Sequence, residues 1–210
     1  MKDWAVITGA AGDHNKFLKV TMPTLYRYGE VFDMDVARYE LDATDPPLRS
    51  SWQKIMLLRN KLDAGYQGVL WVDADAMFVR FDEDIRDLAQ PGWNWVHNRY
   101  VGKPWLCVPC TGVVAVTPEA IGTLDVLWQM RDEHLDAPWV EQSAAHELFA
   151  WQNFSGALAD PDGQHELPAR WNSTPESPAD NPVIFHAASY DYCTFDSRLD
   201  LLIQRAADLL

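Results

Sequence analysis

The stretch VLWVDADAMFV, residues 69–79, places two aspartates directly after four apolar residues. Val69, Leu70, Trp71 and Val72 show no polar alternation, the pattern of a central strand covered on both faces. Asp73 and Asp75 follow, two apart, with the small Ala74 between them. Residues i and i+2 of a strand point to one side, so the spacing is expected to aim both carboxylates the same way. Carboxylates at a strand end can simply meet solvent or bond to nearby backbone. They can also hold a hard divalent cation, since Mg2+ and Mn2+ use one or two carboxylates plus substrate phosphates. In open α/β sheets, ligands bind outside the carboxyl ends of the strands, which favours the metal reading.

The elements around this stretch predict an α/β fold with a largely parallel sheet. WAVITGAAG (4–12) reads as a buried strand entering a small-residue loop. Residues from about Asn15 to Tyr28 read as a helix, with Pro23 a possible kink. FDMDVARYEL (32–41) reads as a second strand, and DATDPPLRS (42–50) as a loop. Ser50 or Ser51 can cap a helix carrying Trp52, Ile55, Met56, Leu58 and Leu62 on its apolar side, with Gly65 at its end. Strand, helix, strand, helix, strand builds an open sheet. In the second half, GWNWVH (92–97) and TGVVAV (111–116) read as strands. Thr117-Pro118-Glu119 reads as a helix start, that helix running to about Glu133. WVEQSAAHELFAW (139–151) is expected to be helical, residues 155–182 loops with one short strand, PVIFHAA (182–188) a late strand, and residues from about Asp196 a closing helix.

The chain has 210 residues, a length that suits one α/β domain. Its net charge is −14, distributed unevenly. Residues 1–105 carry thirteen basic against fifteen acidic groups, and residues 106–210 four against sixteen. Such a field repels nucleic-acid backbones, so general nucleic-acid binding is not expected. Three cysteines, Cys107, Cys110 and Cys193, are too few for a disulfide scaffold, and CVPC (107–110) lacks the second pair of a zinc site. No apolar run is long enough to span a bilayer, and the first residues lack a signal-peptide core. The expectation is a soluble, cytoplasmic protein.

Taken together, SWQKIMLLRNKLDAGYQGVLWVDADAMFV (51–79), TGVVAV, WVEQSA (139–144) and VIFHAA (183–188) resemble the galactosyl/mannosyl-transferase family of yeast and plants, and more broadly retaining glycosyltransferases of the GT-A fold. The shared order is a Trp-x-Lys helix, a strand ending in Asp-x-Asp, a turn before Gly, an acid-Gln pair and a late His. It covers roughly residues 50–190. The resemblance implies a GT-A fold over residues 1–210, with a nucleotide-sugar half of about 1–110 and an acceptor-side half of about 111–210. It implies a metal-dependent hexosyltransferase that uses a UDP- or GDP-linked sugar with Mn2+, or Mg2+, and acts with retention.

Carried over position by position, the resemblance assigns Asp73, Asp75 and His186 to the metal. Asp73 also reaches the ribose, with Ala74 beside it. Lys54 would reach the donor's phosphates or sugar, although a solvated helix lysine is the plainer alternative. Thr111 and Gly112 would form a turn letting backbone approach the donor. Glu141 and Gln142 would face the transferred sugar, although an acid at a helix start is favoured by the macrodipole anyway. Thr8, Gly9 and Ala10 would floor the nucleotide site. Trp93, Trp95, Trp105, Trp139 and Trp171 are candidates for stacking on sugars, or for the core.

This chain departs from the family in having Thr111 where asparagine is usual. It also has no lysine after His186, leaving Arg198 as the candidate replacement. A membrane anchor like that of the yeast and plant family members is not expected from these residues. Two other readings stay open: a haloacid-dehalogenase-type phosphatase, whose aspartates usually follow the first strand, and a non-catalytic nucleotide-sugar-binding module.

Overall fold

The computed structural model describes residues 2–42, 50–102, 107–149, 163–188 and 194–209. Six strands form the main sheet: β1 (Trp4–Ala10), β2 (Asp35–Glu40), β3 (Gly68–Val72), β5 (Trp93–Arg99), β6 (Cys107–Val116) and β7 (Gln164–Leu167). Their order is β2-β1-β3-β6-β5-β7. β1 pairs in parallel with both β2 and β3, and β5 with β7, while β6 runs antiparallel between β3 and β5. One reversed strand in an otherwise parallel sheet agrees with the expected architecture.

Strand alternation explains the layering. In β3, Leu70 and Val72 pack into one core with α1 (Asn15–Val31) and α5 (Phe195–Ala207). Val69 and Trp71 face a second core with α2 (Gln53–Asp63), α3 (Ile121–Gln129) and α4 (Glu141–Leu148). Both faces of β3 are therefore covered, which is why its sequence carries no polar position before Asp73.

Several elements differ in detail from the sequence expectations. α1 continues through Pro23 to Val31, forgoing one backbone bond at the proline. Ser50 and Ser51 do not cap α2; a 3₁₀ turn over Ser50–Trp52 leads into it. The helix after Thr117 starts as a 3₁₀ turn, is α-helical to Gln129, and ends in a 3₁₀ turn reaching Glu133. The Thr117 hydroxyl accepts from Gly92 N instead of capping.

A second, two-stranded sheet was not evident in the sequence. β4 (Ala76–Phe78) pairs antiparallel with β8 (Ile184–His186), bringing the late histidine opposite Ala76. At three residues each, these strands are too short to show a period. Trp105, Cys193, residues 43–49 of the loop expected over 42–50 and residues 155–162 of the segment expected over 155–182 lie outside the described residues, and β7 is the short strand expected in that segment.

Candidate active site

β3 ends at Val72, so Asp73-Ala74-Asp75 forms a turn and not the strand end expected from the i, i+2 spacing. The turn is closed by Ala76 N donating to Asp73 O at 3.0 Å. Neighbouring elements hold each of its residues. Asp73 N donates to Gly112 O at 2.8 Å, and Ala187 N donates to Asp75 O at 2.9 Å. The buried Thr21 hydroxyl of α1 donates to Ala74 O at 3.0 Å. The carboxylates thus converge because three elements fix the backbone beneath them.

The two oxygens of Asp73 face different partners. Oδ1 accepts from Trp71 Nε1 at 2.5 Å and lies 3.5 Å from Lys54 Nζ. Oδ2 lies 4.0 Å from His186 Nε2. Asp75 Oδ1 is 3.3 Å from the same nitrogen, and Arg198 of α5 pairs with Asp75 Oδ2. One ligand atom each from Asp73, Asp75 and His186 falls within 4.8 Å of the others. Two carboxylates and one imidazole suit Mn2+ better than Mg2+, which prefers oxygen throughout. The other imidazole nitrogen is engaged as well: His186 Nδ1 lies 2.8 Å from Asn172 Oδ1, and Asn172 Nδ2 donates to Asn98 Oδ1 at 3.1 Å.

β6 carries an irregularity that serves this cluster. Its register with β5 passes from Trp95↔Val114 to Val96↔Cys110, so Thr111, Gly112 and Val113 arch out of the ladder. A side chain at Gly112 would put its Cβ 2.3 Å from His186 Cε1 and 3.0 Å from Asp73 Oδ2. The glycine therefore admits the imidazole and carboxylate to one point. The expected turn of Thr111 and Gly112 is a bulge within a strand, and the close approach at Gly112 is by His186.

Beneath the carboxylates lies a buried ion pair. Lys54 Nζ is 2.6 Å from Glu141 Oε1 and donates to Thr111 O at 3.2 Å. Glu141 also accepts from the Thr111 hydroxyl at 3.0 Å and from the Ser51 side chain. Burial works to raise the Glu141 pKa, but the charge and hydrogen bond of Lys54, with those from Ser51 and Thr111, hold it below the usual value. Burial likewise works to lower the Lys54 pKa, and Asp73 and Glu141 outweigh it, so the ammonium is held charged. Val140, just before Glu141, takes φ 48° and ψ −115°, a costly conformation for a β-branched residue that sets the start of α4. Gln142 must present its carbonyl oxygen to Thr111 N, at 3.0 Å, which leaves its amide group as donor.

These groups border one cleft at the carboxyl ends of β1 and β3. Gly9, Ala10, Lys54, Asp73, Ala74, Asp75, Glu141 and Arg198 line one part. Thr111, Gly112, Gln142 and His186 line the adjoining part, which shares Asp73, Asp75, Trp139, Glu141 and Arg198 with the first. Thr8, expected on the nucleotide floor, is instead fully buried in the sheet, and Gly9 is needed where Leu41 packs against β1. Of the tryptophans proposed for sugar stacking, Trp93, Trp95 and Trp171 are fully buried core residues, while half-buried Trp139 borders the cleft. Cys107 and Cys110 are free and partly exposed, and burial raises the Cys107 pKa.

Sequence reasoning missed His14, which lines the cleft stacked on Phe195 with ring centroids 5.8 Å apart. It also missed Asn172, Asn98 and Thr21. For His14 a signal existed, because it directly follows the loop after the first strand.

No family model and no curated protein matches the chain. Solved structures do. A glycosyltransferase involved in glycosylation of the major capsid of PBCV-1 superposes with a TM-score of 0.74 at 12% identity, over 96% of this chain and 98% of that one. The fold is that of the GT-A glycosyltransferases. The galactosyltransferase LgtC, in complex with donor and acceptor sugar analogues, matches with a TM-score of 0.58 at 12% identity, over 98% and 96%. The glycosyltransferase GlyE of Streptococcus pneumoniae TIGR4 matches with a TM-score of 0.58 at 13% identity, over 96% of this chain and 60% of that one. Among the described residues, no helix is long and apolar enough to cross a membrane.

Proposed function

We propose that this protein is a metal-dependent glycosyltransferase that moves a hexose from a nucleoside-diphosphate sugar to an acceptor hydroxyl, with retention. The observation that carries the reading is the convergence of Asp73, Asp75 and His186 on one point of the cleft where a GT-A fold binds ligands. These three residues would hold Mn2+, which when bound neutralises charge growing on the departing diphosphate. Arg198, beside Asp75, supplies a fixed positive group on the same side, in place of the lysine that related sequences carry. Its presence there argues against a non-catalytic binding module.

Retention is supported by the state of the acids. Among the described residues bordering the two adjoining parts of the cleft, the carboxylates are Asp73, Asp75 and Glu141. The first two belong to the ligand cluster. Glu141 is ion-paired and held ionised below its usual pKa, which makes it a weak general base for an inverting attack. Lys54 and Glu141 then act together, fixing Asp73 and Thr111, while Gln142 directs its amide group toward the transferred sugar. The acidic surface of the second half suits a neutral sugar acceptor and repels nucleic acid. A haloacid-dehalogenase-type phosphatase is disfavoured by the fold and by the imidazole in the cluster.

A panel of UDP- and GDP-sugars, screened by thermal shift with and without Mn2+, tests the reading. Joint stabilisation by one donor and Mn2+, beyond either alone, is expected. No stabilisation by any nucleoside diphosphate with metal would remove the transferase reading.

A further inference from the structure

We infer that Asn172 is a positioning residue for His186: its Oδ1 accepts a hydrogen bond from the imidazole Nδ1–H and so directs the Nε2 lone pair to the cation. The inference rests on the metal-centre reading above and adds to it a specific function for a buried amide.

The argument starts from burial. Asn172 is 1% exposed, and a buried amide costs stability unless its oxygen and nitrogen both find partners. Here both ends are engaged. Oδ1 lies 2.8 Å from His186 Nδ1, and Nδ2 donates to Asn98 Oδ1 at 3.1 Å. Asn98, on β5, is also buried. With Asn98 accepting, Asn172 must turn its oxygen to the imidazole. A neutral imidazole carries one proton. When Nε2 gives its lone pair to a metal, that proton sits on Nδ1 and needs an acceptor. The amide oxygen is at the right atom and distance.

The backbone enforces the pairing. Asn172 ends a 3₁₀ turn, Ala169–Asn172, that is laced to β8 on both sides. Val183 N donates to Arg170 O at 2.8 Å, Ser173 N to Ile184 O at 3.0 Å, and His186 N to Ser173 O at 2.9 Å. The amide and imidazole are thus held in register independently of their own bond. A chain of buried polar groups then runs from Asn98 on β5 through Asn172 and His186 to Asp75 in the ligand cluster.

The test uses Mn2+ alone as probe, titrated by electron paramagnetic resonance into the full chain. N172L removes the acceptor at similar volume and should weaken Mn2+ binding by about 10- to 100-fold, the usual scale for losing a ligand's supporting partner. N172D keeps an acceptor for Nδ1–H, and Asn98 can flip its amide to donate, so affinity should stay within about threefold of the parent. Circular dichroism checks that each variant folds. Where N172L does not fold, N172A removes the acceptor without bulk and carries the same comparison. Affinity unchanged in the acceptor-free variant, or lost equally in N172D, would overturn the inference while leaving the metal centre standing. A parent that binds no Mn2+ would overturn both.

Discussion

Substituting Gly112 by alanine probes the compactness of the ligand cluster. The added Cβ would stand 2.3 Å from His186 Cε1, 2.8 Å from His186 Nδ1 and 3.0 Å from Asp73 Oδ2. Carbon atoms in good contact sit about 3.5–4.0 Å apart, so the ring has to retreat by more than about 1 Å. It has little room, because His186 is 3% exposed and its Nδ1 is held by Asn172. Overpacking of this kind costs about 1–3 kcal/mol. A displaced ligand of this size should weaken Mn2+ binding by about 100-fold. Gly112 has no positive φ, so backbone strain does not confuse the result. The assay pairs urea denaturation with an electron paramagnetic resonance titration of Mn2+. If G112A binds Mn2+ as the parent does, the crowding at this point has been misjudged and His186 is not confined as described.

Further consequences follow from the buried charges. K54M should cost about 3–5 kcal/mol by stranding the Glu141 carboxylate, and K54M/E141L should recover most of it, as measured by denaturant midpoints. The folded-state pKa of Glu141 is depressed, so its stabilisation is present above the unfolded carboxylate value near 4.3 and lost as pH falls through the lower folded value. The stability advantage of the parent over E141Q should therefore persist at neutral pH and shrink only below about pH 4. His146 acts in the same direction but over a higher pH range. Burial takes its pKa down to about 4, so protonation in the unfolded state costs stability progressively as pH falls from about 6.5 towards about 4. H146L should lose that pH dependence, amounting to a few kcal/mol at about pH 4, while the parent keeps it. R198A should fold and bind Mn2+, yet bind nucleoside diphosphates about tenfold or more weakly by calorimetry, because charge-assisted hydrogen bonds to phosphate are lost.

The physics of local sequence explains what could be foreseen. The apolar run of β3, the loop after β1 and the polar pair after Val72 announced a parallel sheet with ligands at its carboxyl end. Asp73, Asp75 and His186 were expected together, and they meet. The manner of meeting was hidden. Asp-Ala-Asp is a turn whose shape comes from Gly112, Thr21 and Ala187, all distant in sequence. The late strand around His186 was expected, but period-based reading cannot see the three-residue β4 or its pairing with β8, which delivers the histidine. Lys54 and Glu141 were expected to face the donor separately, but a 2.6 Å contact across 87 positions makes them one unit. Asn172 carried no local signal, because a lone asparagine before serine reads as loop.

The most direct test of the account is calorimetric titration of UDP and GDP into the parent and D75N, each with and without Mn2+. Asp75 lies in a turn, and its loss should leave the fold intact by circular dichroism. The account predicts that the parent binds one of these nucleotides only with Mn2+, and that D75N loses this binding in either condition. Nucleotide binding that is equal in both proteins, or indifferent to Mn2+, would contradict it.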